Sequence, residues 1–162
     1  MKEDTDKIEN YLPHRFPFLH VDRIIDFDES KKTIKCIKNV TKNEMWVQGH
    51  FPDNPILPGA LIIEALNQVG TILMLKMRGK TFEESADLFV VRFKNFKCIK
   101  PVIPGDQLEI TVKLIMDNET TGLFEFNAEG YVDGELVASL ERSLGYYKLE
   151  NESSKYNNKK SV

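Results

Sequence analysis

A chain of 162 residues, 41% hydrophobic and 29% charged, is long enough for one domain with its own core and too short for two. A formal net charge of -3 and a pI near 5.7 exclude a general attraction to nucleic acid or to an anionic membrane, so an acidic partner needs a local basic patch. Two widely spaced cysteines, Cys36 and Cys98, in strand-like segments are expected as packed thiols in a reducing compartment. The charged start, MKEDTDKIEN, lacks the apolar centre of a secretory signal, and the expected location is the cytoplasm.

In chain order, residues 1–10 read as a short helical or loose lead-in, followed by an aromatic segment punctuated by Pro13 and Pro17. Residues 21–27 suit a strand, DESKK a turn, and TIKCIKNV the returning strand of a hairpin. Residues 45–47 lead into the loop GHFPDNPILPG, whose three prolines each hold φ at about −65° and keep the loop in shape. A helix is expected from Pro58, a residue suited to a first helical turn, to about Met77, with Arg78 and Gly79 as its stop. It is apolar nearly all round and is expected to be covered by the rest of the domain. Glu64, Asn67, Gln68 and Thr71 interrupt the apolar run and argue against a membrane span.

After the polar connection KTFEESAD the period becomes two. Phe89, Val91 and Phe93 alternate with Val90, Arg92 and Lys94, while Leu108, Ile110, Val112, Leu114 and Met116 share a face. Phe124, Phe126 and Ala128 share another, and beyond an Asp133-Gly134 turn so do Leu136, Ala138 and Leu140. The expected fold class is α+β: one domain over 1–150, an antiparallel meander wrapped on one long helix, with a polar tail at 151–162 expected to be disordered.

The four polar helix positions fall at i, i+3, i+4 and i+7, within an arc of about 100°. Such a stripe is either a wet edge or hydrogen-bonded packing seam, or the wall of a site. A carboxylate in a core is costly to keep, and burial favours its protonated form. His50, in the braced loop, can be a neutral base at the same pH. An acid and a base in contrasting environments suit addition or elimination of water. The helix start carries no Ser, Thr, Asp or Asn, so the N–H groups near Gly59 and Ala60 are open to a developing negative charge. His14 reads as a structural hydrogen-bonding residue, and His20 has no assigned role. No histidine or cysteine pair has metal-ligand spacing, and no metal is expected.

Three stretches, LPHRFPFLHVDRI at 12–24, NVTKNEMWVQGHFPDNPILPGALIIEALNQVG at 39–70 and KPVIPGDQLEI at 100–110, together resemble the (3R)-hydroxyacyl-acyl-carrier-protein dehydratases of bacterial type II fatty-acid synthesis, the FabZ type. The resemblance implies a hotdog fold, a curled antiparallel sheet around a central helix. It also implies homodimers joined sheet edge to sheet edge, with active sites shared between subunits, commonly assembled as homohexamers, trimers of dimers. By this resemblance His50 matches the catalytic base and Glu64 the catalytic acid. Gly59 matches the backbone donor to the thioester carbonyl, and Gln68 the polar residue near the acid. The implied partner is acyl carrier protein, and no cofactor is implied beyond the phosphopantetheine arm that arrives with the substrate.

Glu64, where some relatives carry Asp, fits the branch that dehydrates without moving the double bond. The sequence departs from the family pattern at His20, where an apolar residue is usual, at Asn67, where a small one is common, and at Cys98-Ile99, in place of an aromatic and a basic residue. Arg92, Lys94, Lys97 and Lys100 read equally as a carrier-binding patch and as a solvated strand face. Two other functions share this architecture: a hotdog acyl thioesterase, which directs water to the carbonyl, and a non-catalytic acyl-carrier-binding protein of a specialised pathway.

Overall fold

The computed structural model describes residues 7–84 and 88–147. The expected tail at 151–162, the last residues of the expected domain at 148–150 and most of the lead-in fall outside this span. The lead-in ends in a short 3₁₀ turn, Ile8–Asn10. Strands β1 (Arg23–Asp28) and β2 (Thr33–Asn39) form the first hairpin, and helix α1 covers Gly59–Met77. Four longer strands follow: β3 (Leu88–Cys98), β4 (Gln107–Asn118), β5 (Leu123–Val132) and β6 (Glu135–Tyr147). They make one antiparallel sheet in the order β1-β2-β4-β5-β6-β3.

The sheet curls around α1, which packs against β2 through β6. Leu66, Val69, Ile72, Leu73, Met74 and Leu75 are all removed from solvent. A helix this apolar satisfies the length and composition of a membrane span, and here the sheet takes the place of lipid around it. Its start has no side-chain cap. Its end is closed as expected: Gly79 turns left-handed, Lys80 N–H donates to the Leu75 carbonyl, and Gly79 N–H donates to that of Lys76. Helix and sheet approach closely at Gly70, where a Cβ would stand 2.3 Å from the Phe126 ring. Gly145 makes equivalent room for Phe124.

The alternation expected for β4 and β5 is present, with Leu108, Ile110, Val112, Leu114, Phe124, Phe126 and Ala128 in the core. In β6 Ala138 and Leu140 are buried with Val137, and Leu136 is half-buried. Asp133 and Gly134 both take positive φ, as a tight two-residue hairpin turn requires. Two expectations are corrected. Met116 does not join the core face, because the pairing slips between Leu114 and Met116 and leaves that end of β4 exposed.

Strand β3 is not part of the meander. It crosses to the far edge and pairs only with β6 among the described residues, with a slip between Val90 and Arg92 that breaks the simple alternation. As a result Phe89, Val91 and Phe93 are 54%, 58% and 47% exposed. The two cysteines also part company: Cys36 is buried, whereas Cys98 is exposed at the end of this edge strand.

Candidate active site

The loop before α1 is held from both sides. Its approach, a 3₁₀ turn over Met45–Gln48, is braced by Glu44, whose carboxylate accepts from Lys38 Nζ at 2.8 Å, Trp46 Nε1 at 3.0 Å and Thr41 N–H at 3.0 Å. Burial acts to raise the Glu44 pKa, but these donors outweigh it and hold the group below the ordinary carboxylate value. The buried ammonium of Lys38 is thereby paired, as a charge away from water must be. Nothing in the residue pattern around QGHFP singled out this brace, because Lys38 and Glu44 look like ordinary surface charges until β2 and the turn are packed together.

His50 follows the turn, its N–H bonded to the Trp46 carbonyl at 2.8 Å and its carbonyl to Ile56 N–H at 2.9 Å. Phe51 and Asn54 bond each other reciprocally, and Leu57 N–H reaches the Val102 carbonyl. The ring nitrogen Nδ1 lies 2.7 Å from the Ile56 carbonyl oxygen. A carbonyl only accepts, so Nδ1 carries the hydrogen, and in the neutral ring Nε2 keeps its lone pair. The ring stacks on Phe51 at 4.4 Å between centroids. The braced loop therefore presents a histidine of defined orientation and tautomer.

At the start of α1, Gly59 and Ala60 N–H find no acceptor among the described residues, in keeping with the uncapped terminus. A Cβ at Gly59 would stand 2.9 Å from Cys98 Sγ, so glycine lets the helix end and the last residue of β3 lie side by side. Burial pushes the Cys98 thiol pKa up, and that of Cys36 up to about 12, so neither is a ready thiolate.

One turn further, the polar stripe divides into two parts. Asn67 is a packing seam: it donates to the Ile63 carbonyl at 2.6 Å and accepts from Ser143 Oγ at 2.7 Å, tying the helix to β6. Gln68 belongs to the site. Its Oε1 accepts from His20 N–H at 2.8 Å, and its Nε2 donates at 2.8 Å both to the Phe18 carbonyl and to Glu64 Oε1. The His20 bond fixes which end of the amide is oxygen, so Glu64 faces a donor. The Glu64 side chain is 28% exposed, which corrects the expectation of a carboxylate buried in the core to one that is half-buried.

Two histidines given no functional role from sequence flank this acid. His14 Nε2 stands 3.7 Å from Glu64 Oε1, and His20 is buried beside Gln68, with its Nε2 unpartnered. Burial, followed by the charge of Lys38, holds the His20 pKa below the ordinary 6.5, with Glu64 and Glu44 opposing. His14, Phe18 and His20 form a run of ring contacts at 5.9 and 5.2 Å. Phe18 and His20 also wall a cavity of about 560 Å³ with Phe16, Lys38, Trp46 and Leu61.

Within one chain no hydrogen bond or ion pair among the described residues joins His50 to Glu64; each is held by its own neighbours. Of the basic residues on β3 and just beyond it, Lys94 pairs with Glu141 at 3.2 Å and Lys100 with Glu135 at 2.6 Å. Arg92 and Lys97 are exposed, and Arg92 shares a groove with Lys94, Arg142 and Glu125.

The model of a family described as "FabA-like domain" matches residues 12–141. The chain is 46% identical over 134 residues to the "Bifunctional enzyme LpxC/FabZ" of Chlorobaculum tepidum, covering 83% of this chain and 28% of that one. It is 43% identical over 134 residues to the "3-hydroxyacyl-[acyl-carrier-protein] dehydratase FabZ" of Actinobacillus pleuropneumoniae, covering 83% of this chain and 84% of that one. Among solved structures, the dehydratase heterocomplex ApeI:P of Xenorhabdus doucetiae superposes with a TM-score of 0.72 at 21% identity, over 90% of this chain and 93% of that one. At that identity the likeness is one of fold.

Proposed function

Because the chain belongs to the FabA-like domain family, we propose that it dehydrates a (3R)-hydroxyacyl thioester on acyl carrier protein to the trans-2-enoyl thioester in fatty-acid biosynthesis. The observation that carries this reading is the fixed tautomer of His50. With Nδ1–H committed to the Ile56 carbonyl, Nε2 is the base that takes the α-proton. Charge then develops on the thioester oxygen, and the open N–H of Gly59 receives it; one such donor contributes about 2.7–4 kcal/mol to lowering a barrier. Glu64 protonates the departing hydroxyl as water, held at Oε1 by Gln68. A proton leaves carbon, a proton joins the hydroxyl, and no electrons change hands, so the reaction needs no redox cofactor.

The reading includes a homodimer in which His50 of one copy meets Glu64 of the other, assembled further as a trimer of dimers. It is supported by the lack of any hydrogen bond or ion pair between the two groups within one chain among the described residues and by the bare apolar edge of β3, which a soluble sheet does not ordinarily leave uncovered. It also includes a cytoplasmic location, in keeping with two cysteines that form no disulfide. The carrier is taken to dock over Arg92 and Lys97, the basic residues of this strand without an ion-pair partner among the described residues.

The test follows the enoyl absorbance and free thiol on a 3-hydroxyacyl thioester, with wild type, His50→Ala and Glu64→Gln. Enoyl product is expected from wild type, with a loss of roughly 10²–10⁴-fold in either variant. Thiol release in place of enoyl product would make the chain a thioesterase. Neither product, with acylated carrier still bound, would make it a carrier-binding protein without catalysis.

A further inference from the structure

We propose that His14 is a positioning residue for the acid: with Gln68 it supplies the second N–H to Glu64 Oε1, which leaves the transferable proton on Oε2. The inference rests on the reading of Glu64 as the acid and adds which of its two oxygens acts.

The geometry converges on one atom. Gln68 Nε2 lies 2.8 Å from Oε1, and His14 Nε2 faces the same oxygen at 3.7 Å. A protonated carboxyl group accepts best at its C=O oxygen and donates only from the other. The Gln68 donor on Oε1, with His14 Nε2 on the same side, makes it the carbonyl-like oxygen.

The surroundings of His14 decide which ring nitrogen carries the hydrogen. Its Nδ1 is buried with no hydrogen-bond partner among the described residues. In the Nδ1–H tautomer that hydrogen would be an orphaned donor. The Nε2–H tautomer avoids this and puts the ring hydrogen on the nitrogen that faces Glu64. Against Phe18, at 5.9 Å between centroids, the ring has a fixed wall. Its backbone is clamped by Arg15, whose Nη1 donates to the carbonyls of Leu12 at 2.8 Å and His14 at 2.7 Å.

A separation of 3.7 Å is longer than a hydrogen bond. Both side chains are part-exposed, at 31% and 28%, and catalytic hydrogen bonds that are long without substrate tighten in the substrate complex.

The experiment compares His14→Phe, which keeps a ring against Phe18 but has no N–H, with His14→Gln, whose amide nitrogen reaches the position of Nε2. Initial rates are measured on a 3-hydroxyacyl pantetheine thioester, alongside thermal melting. His14→Phe is expected to lower kcat roughly tenfold, as the loss of a hydrogen bond to an acid group implies, with KM within about twofold and melting unchanged. His14→Gln is expected to recover most of the rate. Should the Phe variant not fold, His14→Met serves in its place. A kcat within twofold of wild type in the apolar variant, or a loss that Gln does not recover, overturns the proposal. Glu64→Gln with wild-type activity overturns the acid assignment itself, a distinguishable failure that takes this proposal with it.

Discussion

Helix α1 and strand β3 are both dense in apolar side chains, yet the fold treats them in opposite ways. The sheet closes over α1 until Leu66 through Leu75, apart from half-buried Thr71, are withdrawn from water. Strand β3, joined to the sheet along one side only, holds Phe89, Val91 and Phe93 out into solvent. The difference is topological: α1 crosses the concave face and is met by five strands, whereas β3 is placed last in the sheet order and has no neighbour beyond it among the described residues. An apolar segment satisfied within the chain contributes stability, and one left over at an edge contributes association.

The largest test of that contrast loads the edge with charge. Val91→Asp with Phe93→Asp is expected to leave melting little changed but to reduce the hydrodynamic mass to one chain. Dehydration should then fall by about the 10²–10⁴-fold expected for loss of an acid or base. Retained activity at monomer mass would mean that one chain holds a complete site.

The opposite perturbation adds one methyl group inside. Gly70→Ala drives a Cβ into the Phe126 ring, and overpacking of this sort costs about 1–3 kcal/mol. Calorimetry should show a lower melting temperature with the hydrodynamic mass unchanged, and adding Phe126→Leu should restore part of the loss.

A smaller effect is expected at His20. Its folded-state pKa lies below the ordinary 6.5, through burial and then Lys38. Between the two values the unfolded chain binds more protons, so this group's contribution is complete above pH 6.5 and is lost as pH falls through that range. His20→Leu removes the unpartnered nitrogen and is expected to add about 1 kcal/mol near neutral pH. The gain should be larger at pH 5, as read from denaturant melts at both pH values. An unchanged pH dependence would show that His20 is not the titrating group.

The smallest effect concerns the basic residues of the edge. Lys97→Ala should raise KM for a carrier-borne substrate about twofold to fivefold, as exposed charges contribute under about 1 kcal/mol, and should leave KM for a pantetheine thioester unchanged. Lys94→Ala, starting from an ion pair with Glu141, should do less.

Much of this was legible in the residues themselves. The helix limits, its missing cap, the Gly79 stop and the Asp133-Gly134 turn follow from backbone chemistry that acts over a few residues. Glu64 and Gln68 could be paired because i and i+4 share a helix face whatever surrounds them. The division of the stripe was not legible, since Asn67 becomes a seam only once Ser143 of a strand 76 residues away stands against it. His14 could not be linked to the acid for the same reason: Pro13 and Arg15 describe a loop, and no local rule says which helix that loop will lie upon.

The sequence by itself determined the element types, the one-helix core, and His50 and Glu64 as the candidates for base and acid, because periodicity, proline bracing and motif spacing are local or carried by family resemblance. Tertiary structure decided which apolar strand was left bare, which tautomer His50 holds, and which oxygen of Glu64 is occupied. Those depend on groups distant in sequence brought within hydrogen-bond range, and only packing determines such distances.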